Sequence, residues 1–227
     1  MCPLCGADKG KTSRAEAEGP GRVRPAWEDP AASFPRNFLD CWIESVIRPA
    51  RFFAGVPYEA PAARPILYYL LISLVGATFS LWWSSIFTAL QLPGWFGSGD
   101  PWMAASPAAS ALVTFFATPF LAFLGLVVWT SLLHLLVAIF ARERRGYGAT
   151  MRVVCYGSGP HVMSVVPFLG SLVGLAWGLA LVTIGLREAH RMSAGTAVAV
   201  VVIAVLIPLT LLVGAIVMMV AALASIA

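Results

Sequence analysis

Charge is what this chain has least of. Only 11% of its 227 residues are Asp, Glu, Lys or Arg while 59% are hydrophobic, against a charged fraction of about a quarter in soluble domains. That balance excludes an ordinary soluble domain and makes lipid the solvent for most of the chain. Lysine is confined to Lys9 and Lys11, and no acidic or basic residue occurs at 65–99, 101–141, 153–186 or after Arg191. The spans read from these runs therefore lack the carboxylates and cations that mark ion pathways and proton relays in many transporters. Also missing are G-x-S-x-G, H-E-x-x-H and a phosphate-binding loop, so no motif supports an enzyme. No basic motif interleaved with aromatics argues for nucleic acid, and the net charge of +4 is explained by basic residues flanking spans. The first 26 residues contain no apolar core, so no cleavable signal peptide is expected and the first span serves as the insertion signal.

What is present is long apolar sequence. A hydrocarbon core about 30 Å thick takes roughly 20 helical residues to cross, and the runs 66–90, 110–141 and 196–223 qualify directly. The uncharged stretch 153–186 is too long for one crossing at about 1.5 Å per residue. It is read as two spans, 153–167 and 169–186, broken at Pro167-Phe168-Leu169-Gly170, where proline removes a donor and glycine accepts a turn. The fold class expected is all-α, a polytopic bundle of five transmembrane helices. With five spans all fifteen basic residues fall on one side, which places the amino terminus in the cytoplasm and the carboxyl terminus outside.

Three regions follow. Residues 1–34 read as a flexible cytoplasmic segment rich in Gly, Pro and Glu. Residues 35–64 read as an amphipathic helix: Phe38, Leu39, Trp42, Ile43, Val46 and Ile47 share one face, and Arg36, Asp40, Glu44 and Arg48 the other. Either it packs on the bundle's own cytoplasmic face or it lies in the headgroups. Residues 65–227 form the membrane domain. At the start of the chain, Cys2 and Cys5 have the spacing of half a zinc ribbon, whose two thiolates grip one edge of a tetrahedral ion. The only further cytoplasmic candidate is Cys41, so the pair is either a structural zinc site shared between two chains or a degenerate ribbon that needs no cofactor.

Inside the membrane, His134 and His161 lie at similar distances from Arg142 and Arg152. On antiparallel neighbours they would meet at one depth as a proton or metal site; the other reading is a pair of neutral histidines bonded to neighbouring helices. His190 reads as a loop residue. Pro160 predicts a kink in the third span, and Gly170, Gly174 and Gly178 repeat at a spacing of four, as helices that pack closely do. Trp42, Arg48, Phe52, Phe53, Arg142, Arg144 and Arg145 form the expected cytoplasmic contact surface.

Trp42 to Phe53 with Pro49 between them, Gly146-Tyr147-Gly148, Tyr156, Pro160, Pro167, Gly170 and Gly185-Leu186 occur in an order that resembles the Yip-domain family of five-span membrane proteins, over about residues 35–220. The resemblance implies a role in membrane organisation or trafficking. Eukaryotic members bind Rab-type GTPases, but their acidic-aromatic motif before the first span is absent here, which argues against that partner. The Arg-rich, Lys-poor usage and ribbon-like start indicate a bacterial inner-membrane protein. Three functions are weighed. The first is a non-enzymatic scaffold or accessory subunit with a membrane-protein partner or a second copy of itself. The second is a small oligomeric transporter, channel or lipid-moving protein using His134 and His161. The third, a membrane-embedded enzyme, rests on the histidines alone.

Overall fold

A computed structural model of the chain describes residues 24–29, 33–90, 107–143 and 145–224. After a 3-10 turn at Ala26–Glu28, the helices are α1 (Arg36–Ile47), α2 (Pro49–Gly55), α3 (Ala63–Ala89), α4 (Pro107–Phe140), α5 (Tyr147–Gly157), α6 (Leu169–His190) and α7 (Ala194–Ala224), with a 3-10 segment at Gly159–Val165 following α5. Among the described residues there is no strand. Four helical stretches, Ala63–Phe87, Ala111–Phe140, Leu169–His190 and Ala194–Ala224, are long and apolar enough to cross a bilayer, so this is an integral membrane protein.

The segment expected as a third crossing, 153–167, differs from that expectation. It is not one helix but α5 followed by the 3-10 segment, because Pro160 cannot donate to the helical ladder. The pair still lies along α6 as an antiparallel hairpin. A Cβ added at Gly185 would meet Val153, at Gly178 the Gly157 carbonyl, at Gly174 the Pro160 carbonyl and at Gly170 the Met163 carbonyl, the last at 1.8 Å. The glycine stripe thus packs inside its own chain, and the bare backbone of Gly170 lets the turn close. At that turn Phe168 takes φ 60, immediately before α6 begins.

Two bundle ends can be distinguished. One carries Arg64, Arg142, Arg145, Arg187 and Arg191, where α3, α5 and α7 begin and α4 and α6 finish. The other holds the turn at Phe168. There Trp83 Nε1 donates to the Val165 carbonyl at 2.9 Å, and Phe87 stacks on Phe168. Tryptophans beside phenylalanines at a helix end suit the membrane–water boundary.

Helix α1 splits the apolar face read from its sequence. Cys41, Ser45 and Val46 are buried and Phe38 and Trp42 half-buried against the bundle, whereas Leu39, Ile43 and Ile47 are exposed. Tryptophan fixes this docking: Trp42 Nε1 donates to the Gly159 carbonyl at 2.9 Å, and Trp177 Nε1 to the Val46 carbonyl at 3.1 Å. Pro49 starts α2 as its first residue, where its missing donor is harmless. Phe53 of α2 then packs against Gly185 of α6.

Candidate functional site

Among the described residues, the fully buried charge is on α5. Arg152 is fully buried, which corrects the reading of it as a loop arginine ahead of the third span: α5 starts at Tyr147 and takes Arg152 into the bundle. An unpaired charge there would be prohibitive. Its Nη1 meets Glu28 Oε1, and its Nη2 donates to the carbonyls of Ala60 at 2.6 Å and Pro61 at 2.5 Å. Glu28 also accepts from the Tyr156 hydroxyl at 2.6 Å. Tyr156 and Arg152, one helical turn apart on α5, thereby grip one carboxylate together.

Glu28 is held out to them by its neighbour. Trp27 Nε1 donates to the Arg64 carbonyl at 2.7 Å, and Arg64 Nη1 donates back to the Trp27 carbonyl at 2.8 Å. Trp27, Phe38, Tyr68, Tyr156 and Phe52 form a continuous run of edge-on and tilted aromatic contacts, each favourable beyond its buried area. Cys41 lies in this packing. Burial, with the Glu28 and Glu44 carboxylates, pushes its thiol up, so it is protonated and unreactive. Tyr58 is likewise pushed up by burial, and its ring lies 4.9 Å below the Arg145 guanidinium carbon.

A second polar chain joins α4, α5 and α6 near the same end. The Arg145 backbone N–H donates to His190 Nδ1 at 3.1 Å, which leaves the proton of a neutral ring on Nε2. Nε2 then donates to Thr150 Oγ1 at 3.0 Å, and Thr150 donates to His134 Nδ1 at 2.9 Å. His190 is thus no loop residue: it ends α6, almost wholly buried.

His161 is placed apart from His134, on the 3-10 segment, where it lines two cavities. One, of about 430 Å³, lies between α4, α5, α6 and α7 and is lined by apolar residues that include Gly125, Trp129, Leu175, Val182, Val205 and Pro208. The other, of about 440 Å³, lies between α3, the 3-10 segment and α6, and four of its lining residues are Ser73, Ser80, Ser164 and Ser171. The histidine partner of His134 is therefore His190 and not His161, because the kink at Pro160 carries His161 toward α3.

Of the expected contact surface, Phe52 and Phe53 are core residues and Trp42 is turned inward, since α1 and α2 wedge into the bundle rather than lie beside it. Arg48 and Arg142 are exposed, and Arg145 is half-buried over Tyr58. Arg144 lies outside the described residues, as do Cys2 and Cys5. Among the described residues no three His, Cys, Asp or Glu gather as a metal site would require. Within the stretch read as flexible, Trp27 and Glu28 are buried. Trp27 is the first aromatic residue of the chain, and that was the available signal that the segment is anchored there.

A family model described as Yip1 domain matches residues 43–222. It begins inside α1, so the matched unit includes most of the wedged segment as well as the membrane helices. No curated protein and no solved structure matches the chain.

Proposed function

The chain belongs to the Yip1 domain family, and on that premise we propose that it is a non-enzymatic scaffold or accessory subunit that holds its amino-terminal segment in a fixed position at one membrane face. The observation that carries this reading is the Glu28–Arg152–Tyr156 cluster. The ion pair buried in the bundle fastens that segment, and both histidines of the α4–α6 chain are bonded within the protein. Catalysis or ion conduction would instead leave such groups facing a path. The face so presented comprises Leu39, Ile43 and Ile47 on α1, flanked by Arg36, Asp40 and Arg48, all exposed.

Five crossings suit this reading. The hairpin contacts run from Val153–Gly185 to Met163–Gly170, over which α5 and the 3-10 segment together follow α6, so a broken third crossing returns the chain to the turn end. With five crossings the basic residues share one side, and a bacterial inner membrane with a cytoplasmic amino terminus is the setting that the sequence supports. Cys2 and Cys5 would then stand on the partner-facing side, where a zinc shared between chains is one use for them.

Capture of the tagged full chain from its native membrane in lipid nanodiscs, with quantitative mass spectrometry, tests the proposal. A stoichiometric partner retained by the wild type and lost in Leu39→Glu/Ile43→Glu is the expected result. A homo-oligomer unaccompanied by any partner, unchanged by that variant, would sink it.

A further inference from the structure

Outside the fastened end, the bundle contains an unused polar site. The serine-lined cavity brings Ser73 and Ser80 of α3, Ser164 of the 3-10 segment and Ser171 of α6 to one wall system with His161. Four hydroxyls and an imidazole in one membrane cavity are costly unless each finds a partner. Ser164 Oγ is buried and has none. Opposite it stands Gly76, where an added Cβ would lie 3.8 Å from Ser164 Oγ and 4.0 Å from the His161 carbonyl. The missing side chain keeps open the space that the hydroxyl faces.

The apolar cavity adjoins this one, since His161 and Leu175 line both. Each volume lies within the range of small-molecule pockets, about 300–1,000 Å³. Their order along the bundle is informative. Ser80 lies one helical turn from Trp83, whose indole marks the turn end, whereas the apolar cavity reaches Gly178, Val182 and Gly157, farther from that end. Polar lining near the boundary and apolar lining deeper in is the polarity of a bilayer leaflet. No Asp, Glu, Lys or Arg lines either cavity. A phosphate placed there would have no counter-charge, whereas hydroxyl and ester groups find donors and acceptors in serine and neutral histidine.

We propose that the paired cavities bind one uncharged, hydroxyl-bearing lipid of the diacylglycerol class, its glycerol head among Ser73, Ser80, Ser164, Ser171 and His161 and an acyl chain in the cavity at Gly125 and Trp129. The bound lipid supplies the missing partner to Ser164. His161, in the shared wall, contacts the molecule where its polar and apolar parts join.

The test uses the full chain in phosphatidylcholine proteoliposomes with a photoactivatable diacylglycerol, followed by peptide mapping. Labelling is expected to concentrate in residues 69–80, 125–129 and 157–182 and to be displaced by unlabelled dioleoylglycerol but not by dioleoylphosphatidylglycerol. Gly125→Leu, at a position with nothing within 4 Å of an added Cβ, is expected to abolish the displaceable label by filling the apolar cavity. Ser164→Ala removes one hydrogen bond and is expected to reduce it roughly threefold to tenfold. Gly76→Ala narrows the polar cavity with only ordinary contacts and should reduce it comparably. Melting and gel-filtration profiles of the variants establish that each is folded. Label spread evenly over α4 and α7, displacement by phosphatidylglycerol as readily as by the glyceride, or label unaffected in folded Gly125→Leu, Gly76→Ala and Ser164→Ala would each overturn the proposal.

Discussion

The two ends of this bundle treat polar groups in opposite ways. At the arginine-rich end a full charge is buried and answered at its two Nη atoms, by a carboxylate and two carbonyls, with only the Arg152 Nε left over, and the His190–Thr150–His134 chain closes on the Arg145 backbone. At the turn end there is no buried charge among the described residues, yet Ser164 is left without a partner beside open volume. The first end has the chemistry of fastening and the second that of a vacancy suited to a ligand. Interior polarity in a membrane protein therefore does not by itself indicate a transport path; what matters is whether the polar groups are satisfied.

The largest expected effect comes from unbalancing the fastened end. Arg152→Met leaves Glu28 buried without its cation and should destabilise the protein by about 3–5 kcal/mol in detergent unfolding titrations, while Glu28→Leu added to it should recover most of the loss. If the single and double variants melt alike, the pair is not what holds the segment. Gly170→Ala comes next, because its Cβ would lie on the Met163 carbonyl, a backbone atom that cannot swing aside; a loss of about 1–3 kcal/mol is expected. Gly178→Ala, 3.4 Å from its nearest neighbour, should be much milder, and equal losses would contradict the hairpin packing. Thr150→Val interrupts the histidine chain and should cost about 1–2 kcal/mol, with Thr150→Ser close to wild type in the same titration.

Cys41 gives a kinetic reading of the same end. Its raised pKa keeps the thiolate scarce at and above neutral pH, so in a Cys2→Ser/Cys5→Ser background maleimide labelling of the native protein should be slow at pH 8. Arg152→Met should accelerate it by opening the contact over Trp27. Smallest of all, Ser164→Ala in lipid-depleted micelles should leave the melting temperature unchanged or slightly raised, since removing an unpaired buried hydroxyl forfeits no hydrogen bond. A clear fall would show that Ser164 is already satisfied and would erase the contrast between the ends.

The membrane helices were legible because a bilayer demands long uncharged runs, and the hairpin because Pro167 and Gly170 interrupt one. The register of Gly170, Gly174 and Gly178 likewise announced close packing. Sequence could not show that Arg152 belongs inside. A charge at the edge of an apolar run reads as a flank until its partner is known, and Glu28 lies 124 residues away in a stretch of turn-forming composition. His134 was recognised as an interior polar group but assigned the wrong neighbour. Counting residues from Arg152 treats the third span as a straight helix, whereas Pro160 diverts His161, and His190 appears surface-bound only while α6 is taken to end early. The division of α1 into an inward and an outward apolar stripe was illegible for a related reason: six apolar residues on one broad face do not say where the bundle's edge falls.

The tryptophans of this fold carry a consequence for biosynthesis. Four indoles each donate to a main-chain carbonyl: Trp27 to Arg64, Trp42 to Gly159, Trp83 to Val165 and Trp177 to Val46. In the first three the donor is translated before its acceptor, and Glu28 likewise precedes Arg152. As α5 and its 3-10 continuation leave the ribosome, the groups that answer their broken ladder and their charge already exist upstream. The most irregular part of the membrane domain thus emerges after the indoles and the carboxylate that hold its carbonyls and its charge, and before the glycine face of α6 that closes over it.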